Sequence, residues 1–327
     1  MIKDFLRRKN IILSAKRYGI DAMGAMAQGL FASLLIGTIV STLGQQIGVP
    51  ILVDIGNYAK GVSGPAMAVA IGYALQAPPL VLFSLLAVGS AANALGGAGG
   101  PLAVLFVAVV AAELGKAVSK ETRIDILLTP FVTVSVGVLL SVWCAPAIGT
   151  AASAVGQLIM WATELQPFWM GILVSVVIGI ALTLPISSAA ICAALGLTGL
   201  AGGAAVAGCC AQMVGFAVLS FRENRWGGLI SQGLGTSMLQ MGNICRRPQI
   251  WIPPTLAGAI CGPVSTLVFK LECTGVSAGM GTCGLVGPIG VISQMKHTPM
   301  MWVGLALCCV VLPAILSLVF SEIMRKL

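Results

Sequence analysis

Uncharged runs of close to twenty residues recur along this chain, 79–95 and 126–147 among them. Each is long enough to cross a hydrocarbon core about 30 Å thick. Apolar residues make up 58% of the 327, only 9% are charged and mean hydropathy is +1.02, values outside the soluble globular range. A β-barrel would alternate polar and apolar positions over about ten residues, whereas these runs are continuously apolar. The chain therefore reads as an all-α polytopic membrane protein. Ten candidate spans lie near 22–43, 61–77, 79–95, 101–117, 126–147, 167–183, 185–198, 202–220, 251–270 and 300–322.

Lys and Arg accumulate in short cytoplasmic loops, so their placement orients these spans. Lys3, Arg7, Arg8, Lys9, Lys16 and Arg17 precede the first span, Lys116, Lys120 and Arg123 follow the fourth, and Arg222, Arg225, Arg246 and Arg247 follow the eighth. With Arg325 and Lys326 they share one side, leaving Lys60, Lys270 and Lys296 on the other. Both termini are expected in the cytoplasm. The net charge of +8 then reflects topology and acidic lipid headgroups, with no nucleic-acid partner. Residues 1–18 mix apolar and basic positions at helical spacing, as a helix lying on the membrane surface does.

Two 26-residue stretches, from Pro65 and from Pro185, align without a gap, sharing the Pro, an Ala-Ile pair and an Ala-Leu pair. Ahead of each lies a G-x-x-x-S-x-x-I-G segment, Gly29-Ser33-Ile36-Gly37 and Gly171-Ser175-Ile178-Gly179. Two ordered matches suggest duplication, although the abundance of Ala, Gly and Leu also raises chance matches. On the topology above the copies run in opposite senses. The expected architecture is a 5+5 inverted repeat: 19–148 as the first half, an extracytoplasmic connector at 149–166, and 167–327 as the second half. Such repeats underlie alternating access.

The second span of each half, 61–77 and 185–198, looks short or interrupted, with Ser63-Gly64-Pro65 opening one and Leu184-Pro185 the other. Broken segments at matching positions are the best sequence pointer to a substrate site, although Pro and Gly can also merely kink ordinary helices. Ser63, Gly64, Ser187 and Ser188 are candidate contacts at these helix starts, where free N–H groups suit an anionic or hydroxyl-rich solute. The Gly-rich segment 275–290 is long and uncharged, and irregular backbone at membrane depth needs protein or a water-filled cavity around it. It reads as a re-entrant loop offering Ser277, Gly281 and Thr282. Residues 44–57 fit a solvated loop better.

Polar residues within spans add Asn93 and Gln212 as candidate contacts. Glu113, an acid inside an apolar run, is the candidate proton or cation site; Lys116, three residues on, offers the simpler reading of an ion pair. The single histidine, His297, cannot build a His-based metal cluster, and no nucleophile–base constellation stands out, so neither enzyme nor metal nor cofactor is expected. The ten cysteines include no C-x-x-C and read as small packing residues.

Residues 243–290 carry a set of distinctive positions: Asn243, Pro248, Trp251-Ile252-Pro253-Pro254, Gly262-Pro263, Gly279-Met280-Gly281-Thr282 and Gly287-Pro288. On these the chain resembles the phosphotransferase-system IIC-like membrane family (PfoR-like, type-2 EIIC). The resemblance implies a sugar-permease-like domain in the bacterial cytoplasmic membrane, in some members regulatory. A complete permease of this family also needs phosphocarrier domains, and none is expected in this chain, so either they are separate partner proteins, or the chain transports without phosphorylation or only senses. Two functions stand: a transporter of a small polar or anionic solute, or a membrane sensor that binds a ligand and moves nothing. Small-residue faces also permit a homodimer.

Overall fold

The computed structural model describes the backbone of residues 2–163, 165–195 and 197–326, and among them every regular element is helical. Six helical stretches among the described residues are long and apolar enough to span a bilayer: Arg17–Ile47, Pro79–Val118, Asp125–Ala154, Gly199–Leu219, Pro248–Phe269 and Pro299–Lys326. Shorter apolar helices cover Pro167–Thr183 and Cys283–Gln294. The chain divides into two compact units, Met1–Ser41 with Val49–Ala151, and Thr42–Gly48 with Ala152–Leu327.

The first unit holds α1 (Ile2–Arg8), α2 (Arg17–Ile47) as far as Ser41, α3 (Pro50–Gly61), α4 (Ser63–Ala74), α5 (Pro79–Gly96), α6 (Gly100–Val118) and α7 (Asp125–Thr163) as far as Ala151. The apolar run 79–118 is two helices and not one, because Gly97 adopts φ +51°, which ends α5 and turns the chain back as α6. Proline opens α3 and α5 at the position where a missing N–H costs nothing. Helix α4, at 12 residues about 18 Å long, is too short to span the core. It ends at Gln76, held at φ +56°, while Ala77 N–H bonds back to the Gly72 carbonyl at 2.9 Å.

Residues 1–18 are not one surface helix. After α1 the chain turns at Asn10 (φ +53°) and is pinned to the ends of α4 and α6. Arg17 donates to the Leu75 carbonyl at 2.6 Å, Asn10 Nδ2 to Gln76 Oε1 at 2.5 Å, and Lys116 Nζ to the Asn10 and Leu75 carbonyls at 2.9 and 3.0 Å. Helix α7 continues to Thr163 through the residues expected to form a connector after 148. Its Ile126, Leu127, Phe131, Leu139 and Trp143 are exposed, an apolar face for lipid.

The second unit contains α8 (Pro167–Thr183), α9 (Ser188–Ala194), α10 (Gly199–Leu219), α11 (Phe221–Ile230), α12 (Met241–Arg246), α13 (Pro248–Phe269), α14 (Gly275–Ala278), α15 (Val286–Gln294) and α16 (Pro299–Lys326). Helix α10 is the core, packed by α8, α13 and α16 and almost wholly buried. Side chains as small as hydrogen permit this: a Cβ on Gly208 would lie 1.9 Å from the Ser175 carbonyl oxygen, and one on Gly262 would lie 2.0 Å from that of Gly171.

Pro185 does not open a helix. Leu184, restricted by the following proline, takes ψ 157°, so α8 stops at Thr183 and helix resumes only at Ser188. Pro65, by contrast, sits in the first turn of α4, where its missing N–H is tolerated. The 275–290 segment is built of short helical pieces, α14, a 3-10 turn at Cys283–Leu285 and the start of α15, with Ala278–Cys283 buried.

Both G-x-x-x-S-x-x-I-G segments are helix-crossing faces. Gly29 meets α4 at Ala66 and Gly37 meets α3 at Gly56; in the second unit Gly171 meets α13 at Gly262 and Gly179 meets α10 at Gly208. The serines differ: Ser33 Oγ bonds its own helix at Gly29, whereas Ser175 Oγ crosses to the Gly258 carbonyl at 2.8 Å.

Candidate functional site

The expected contacts fall into two sets, one per unit. In the first unit Ser63 and Gly64 begin α4, and Gly64 is pressed against Gly89 and Asn93 of α5; a Cβ there would lie 2.4 Å from the Gly89 oxygen and 2.7 Å from Asn93 Cβ. These three residues are thus together, with Gly64 serving the helix crossing. Glu113 lies in α6 with its carboxylate 2.8 Å from Lys116 Nζ. Lys116 is 2% exposed and bonded to two backbone carbonyls besides, so the Glu113 charge is neutralised within the protein.

The second unit gathers the rest around α10. Gln212, 1% exposed, accepts from Trp251 Nε1 at 3.1 Å and from Thr183 Oγ1 at 3.4 Å, and donates to Thr255 Oγ1 at 3.0 Å. Thr183 also meets Ser237 Oγ at 2.8 Å. Gly281, at φ +53°, lies against Cys209 and Cys210 with no room for a Cβ. Thr282 donates to the Gly233 carbonyl at 2.5 Å, and Ser188 Oγ to the Gly279 carbonyl at 2.8 Å. Ser187 lies in the turn ahead of α9.

A second polar chain lies at the C-terminal end of α10, where Ser220 caps the helix. Gln232 Nε2 donates to Ser220 Oγ at 3.0 Å, Gln240 Nε2 to Gln232 Oε1 at 2.9 Å, and Asn243 Nδ2 to Gln240 Oε1 at 2.8 Å. Gln232 and Gln240, both buried, satisfy each other's amides, and the exposed Asn243 closes the series at the surface. The chain ends at a cavity of about 770 Å³ lined by Ser220, Gln240, Asn243, Arg246, Arg247 and Arg325, with the N-terminal turns of α13. At the opposite end of α10, Ser277 joins Gln45, Gln46, Thr274, Ser293 and Gln294 around a smaller pocket of about 170 Å³ with no charged lining residue. Sequence reasoning missed Thr183, Gln232, Ser237, Gln240 and Thr255. Three amides at 232, 240 and 243 beside a basic loop were the available signal.

The ten cysteines are free, and burial pushes the Cys273 thiol up to about 11, which suits a packing role and not a reactive one.

The sequence model described as "Phosphotransferase system, EIIC" matches residues 20–327, nearly the whole chain. The chain belongs to the phosphotransferase-system EIIC family. Nothing matched among curated proteins or among solved structures. EIIC domains are membrane transport components, so the helices assigned from hydropathy are those of a multi-pass permease domain. In this EIIC chain, the two polar chains beside α10 gather the buried side chains of Thr183, Gln212, Gln232, Ser237 and Gln240.

Proposed function

We propose that this EIIC protein carries a small polar or anionic solute through its second unit, along α10. The observation that carries the reading is the line of buried polar side chains beside that helix, bounded by the uncharged Ser277 pocket at one end and the arginine-lined cavity at the other. Buried polar groups are costly in a bilayer protein unless they serve a passage or fix a fold. Gln212 stands about 10 Å from the Leu219 end of α10, at 1.5 Å per residue. Ser188, Ser277, Gly281 and Thr282 contribute from the broken segments packed on the same helix.

Alternating access suits this arrangement, since interrupted helices can re-pair their backbone groups as two packings exchange. In the first unit, Ser63, Gly64 and Asn93 hold the corresponding place at the start of short α4, and Glu113 supplies the coupling proton site. Charge placement makes the Arg246–Arg247 end cytoplasmic, where separate phosphocarrier partners act. A homodimer would leave α10 inside each copy.

Reconstitution into proteoliposomes tests the reading. Uptake of a panel of labelled monosaccharides and small carboxylates, lost in Gln212→Leu, supports transport. Saturable binding of a panel member without flux, with or without a proton gradient, would favour the membrane-sensor reading.

A further inference from the structure

The cavity at the C-terminal end of α10 has a charge imbalance that solute passage does not require. Arg246, Arg247 and Arg325 line it against one carboxylate, Glu223. Arg325 shares Glu322 with Arg222, at 3.6 and 3.1 Å. Among the described residues Arg246 and Arg247 have no ion pair or hydrogen-bonded side-chain partner. Arg246 ends α12 and Arg247 follows it ahead of Pro248, and both line the wall that the first turns of α13, with Gln249 and Ile250, also enter. The amide side chains of Asn224, Asn243 and Gln240 complete it; Gln240 is buried at its floor, while Asn224, Asn243 and both arginines are exposed at its open mouth.

We propose that this cavity is an anion site for a phosphate group, held between Arg246 and Arg247 with the amides of Asn224 and Asn243 beside it. Guanidinium forks match phosphate oxygens two at a time, and the positive end of a 22-residue helix adds to the attraction. The volume of about 770 Å³ exceeds what a bare ion needs and suits a phosphate carried on a small organic body or on a lipid headgroup reaching in from the bilayer. A protein that only sensed its ligand would carry the same site, so the site stands whether or not solute moves along α10.

Thermal unfolding of the detergent-purified full chain, with inorganic phosphate titrated against potassium chloride at constant ionic strength, reads the site directly. Saturable stabilisation by phosphate is expected in the native protein and in Arg222→Gln, a surface arginine outside the cavity. Arg246→Gln with Arg247→Gln should weaken phosphate at least about tenfold, as expected for one lost charge-assisted pair or more. Arg246→Lys with Arg247→Lys, which keeps the charge and loses the fork, should fall between and guards against misfolding as the cause. Repeating the titration in nanodiscs of phosphatidylcholine with and without phosphatidylglycerol separates the sources: competition by phosphatidylglycerol assigns the site to a lipid headgroup, and persistence of the phosphate response assigns it to a soluble ligand. Equal stabilisation of native and double-Gln proteins by phosphate, or no response of either to phosphate and to phosphatidylglycerol, would overturn the site.

Discussion

Trp251 donates its indole N–H to Gln212 Oε1 at 3.1 Å, tying the first turns of α13 to the buried middle of α10. The bond fixes one face of the Gln212 amide, and Thr255 takes its Nε2 at 3.0 Å. Substituting Gln212 by Leu leaves the Trp251 indole N–H without its acceptor, while Thr255 keeps its bond to the Trp251 carbonyl at 2.7 Å. We expect a loss of about 1–3 kcal/mol of stability, the usual cost of an orphaned buried polar group, read as a lowered melting temperature, together with lost solute uptake. Unchanged stability would mean that water replaces the amide.

Helix crossing at Gly208 gives a sharper contrast. A Cβ there would meet the Ser175 carbonyl carbon at 2.5 Å and its oxygen at 1.9 Å, backbone that cannot swing aside, whereas Gly24 in α2 has nothing within 4 Å. Gly208→Val should therefore prevent recovery of folded protein, while Gly24→Ala should change stability by no more than about 1 kcal/mol. Monodispersity on size exclusion measures both.

Glu113 and Lys116 form a pair whose members depend on each other. Lys116→Met removes the cation that faces a buried carboxylate and should cost about 3–5 kcal/mol, the range for breaking a buried pair from one side. Adding Glu113→Gln should restore much of it. Glu113→Gln alone should flatten the pH dependence of uptake; a pH profile matching the native one would leave Glu113 as an ion-pair residue only.

The N-terminal segment is held electrostatically at Glu121, whose carboxyl is kept below the usual carboxylate range first by Lys9 and further by Arg8. A depressed folded-state pKa gives stability that is complete above the ordinary carboxylate pKa and is lost as pH falls through the lower folded value. Residues 9–14 should thus stay docked at pH 7 and loosen only in acid below that value. Amide exchange of this segment, corrected for intrinsic pH dependence, checks the direction, and Glu121→Gln should be pH-independent over the same window.

Much of the helix plan was readable because it rests on local chemistry. Prolines at 79 and 167 start helices and uncharged runs set their length, so α5 and α8 closely follow the spans expected at 79–95 and 167–183. Pro185 misled because its effect falls on Leu184, whose extended ψ ends one helix and delays the next to Ser188. The Gln232–Gln240–Asn243 chain was hidden for a different reason. Residues 221–247 look like a solvated basic loop, and only tertiary packing against Ser220 and α10 buries the amides of Gln232 and Gln240. Asn10 likewise gave no sign that it would meet Gln76 and Lys116, over sixty positions away.

Labelling of single cysteines placed at the two ends of α10 most directly tests a solute path through the second unit. With Cys144 and Cys245, the two cysteines that are not buried, replaced by Ala, Ser277→Cys and Asn243→Cys are probed in sealed right-side-out and inside-out vesicles with a membrane-impermeant maleimide. The path along α10 predicts labelling of Asn243→Cys from the cytoplasmic face and of Ser277→Cys from the opposite face. Labelling of both positions from the same face would contradict it.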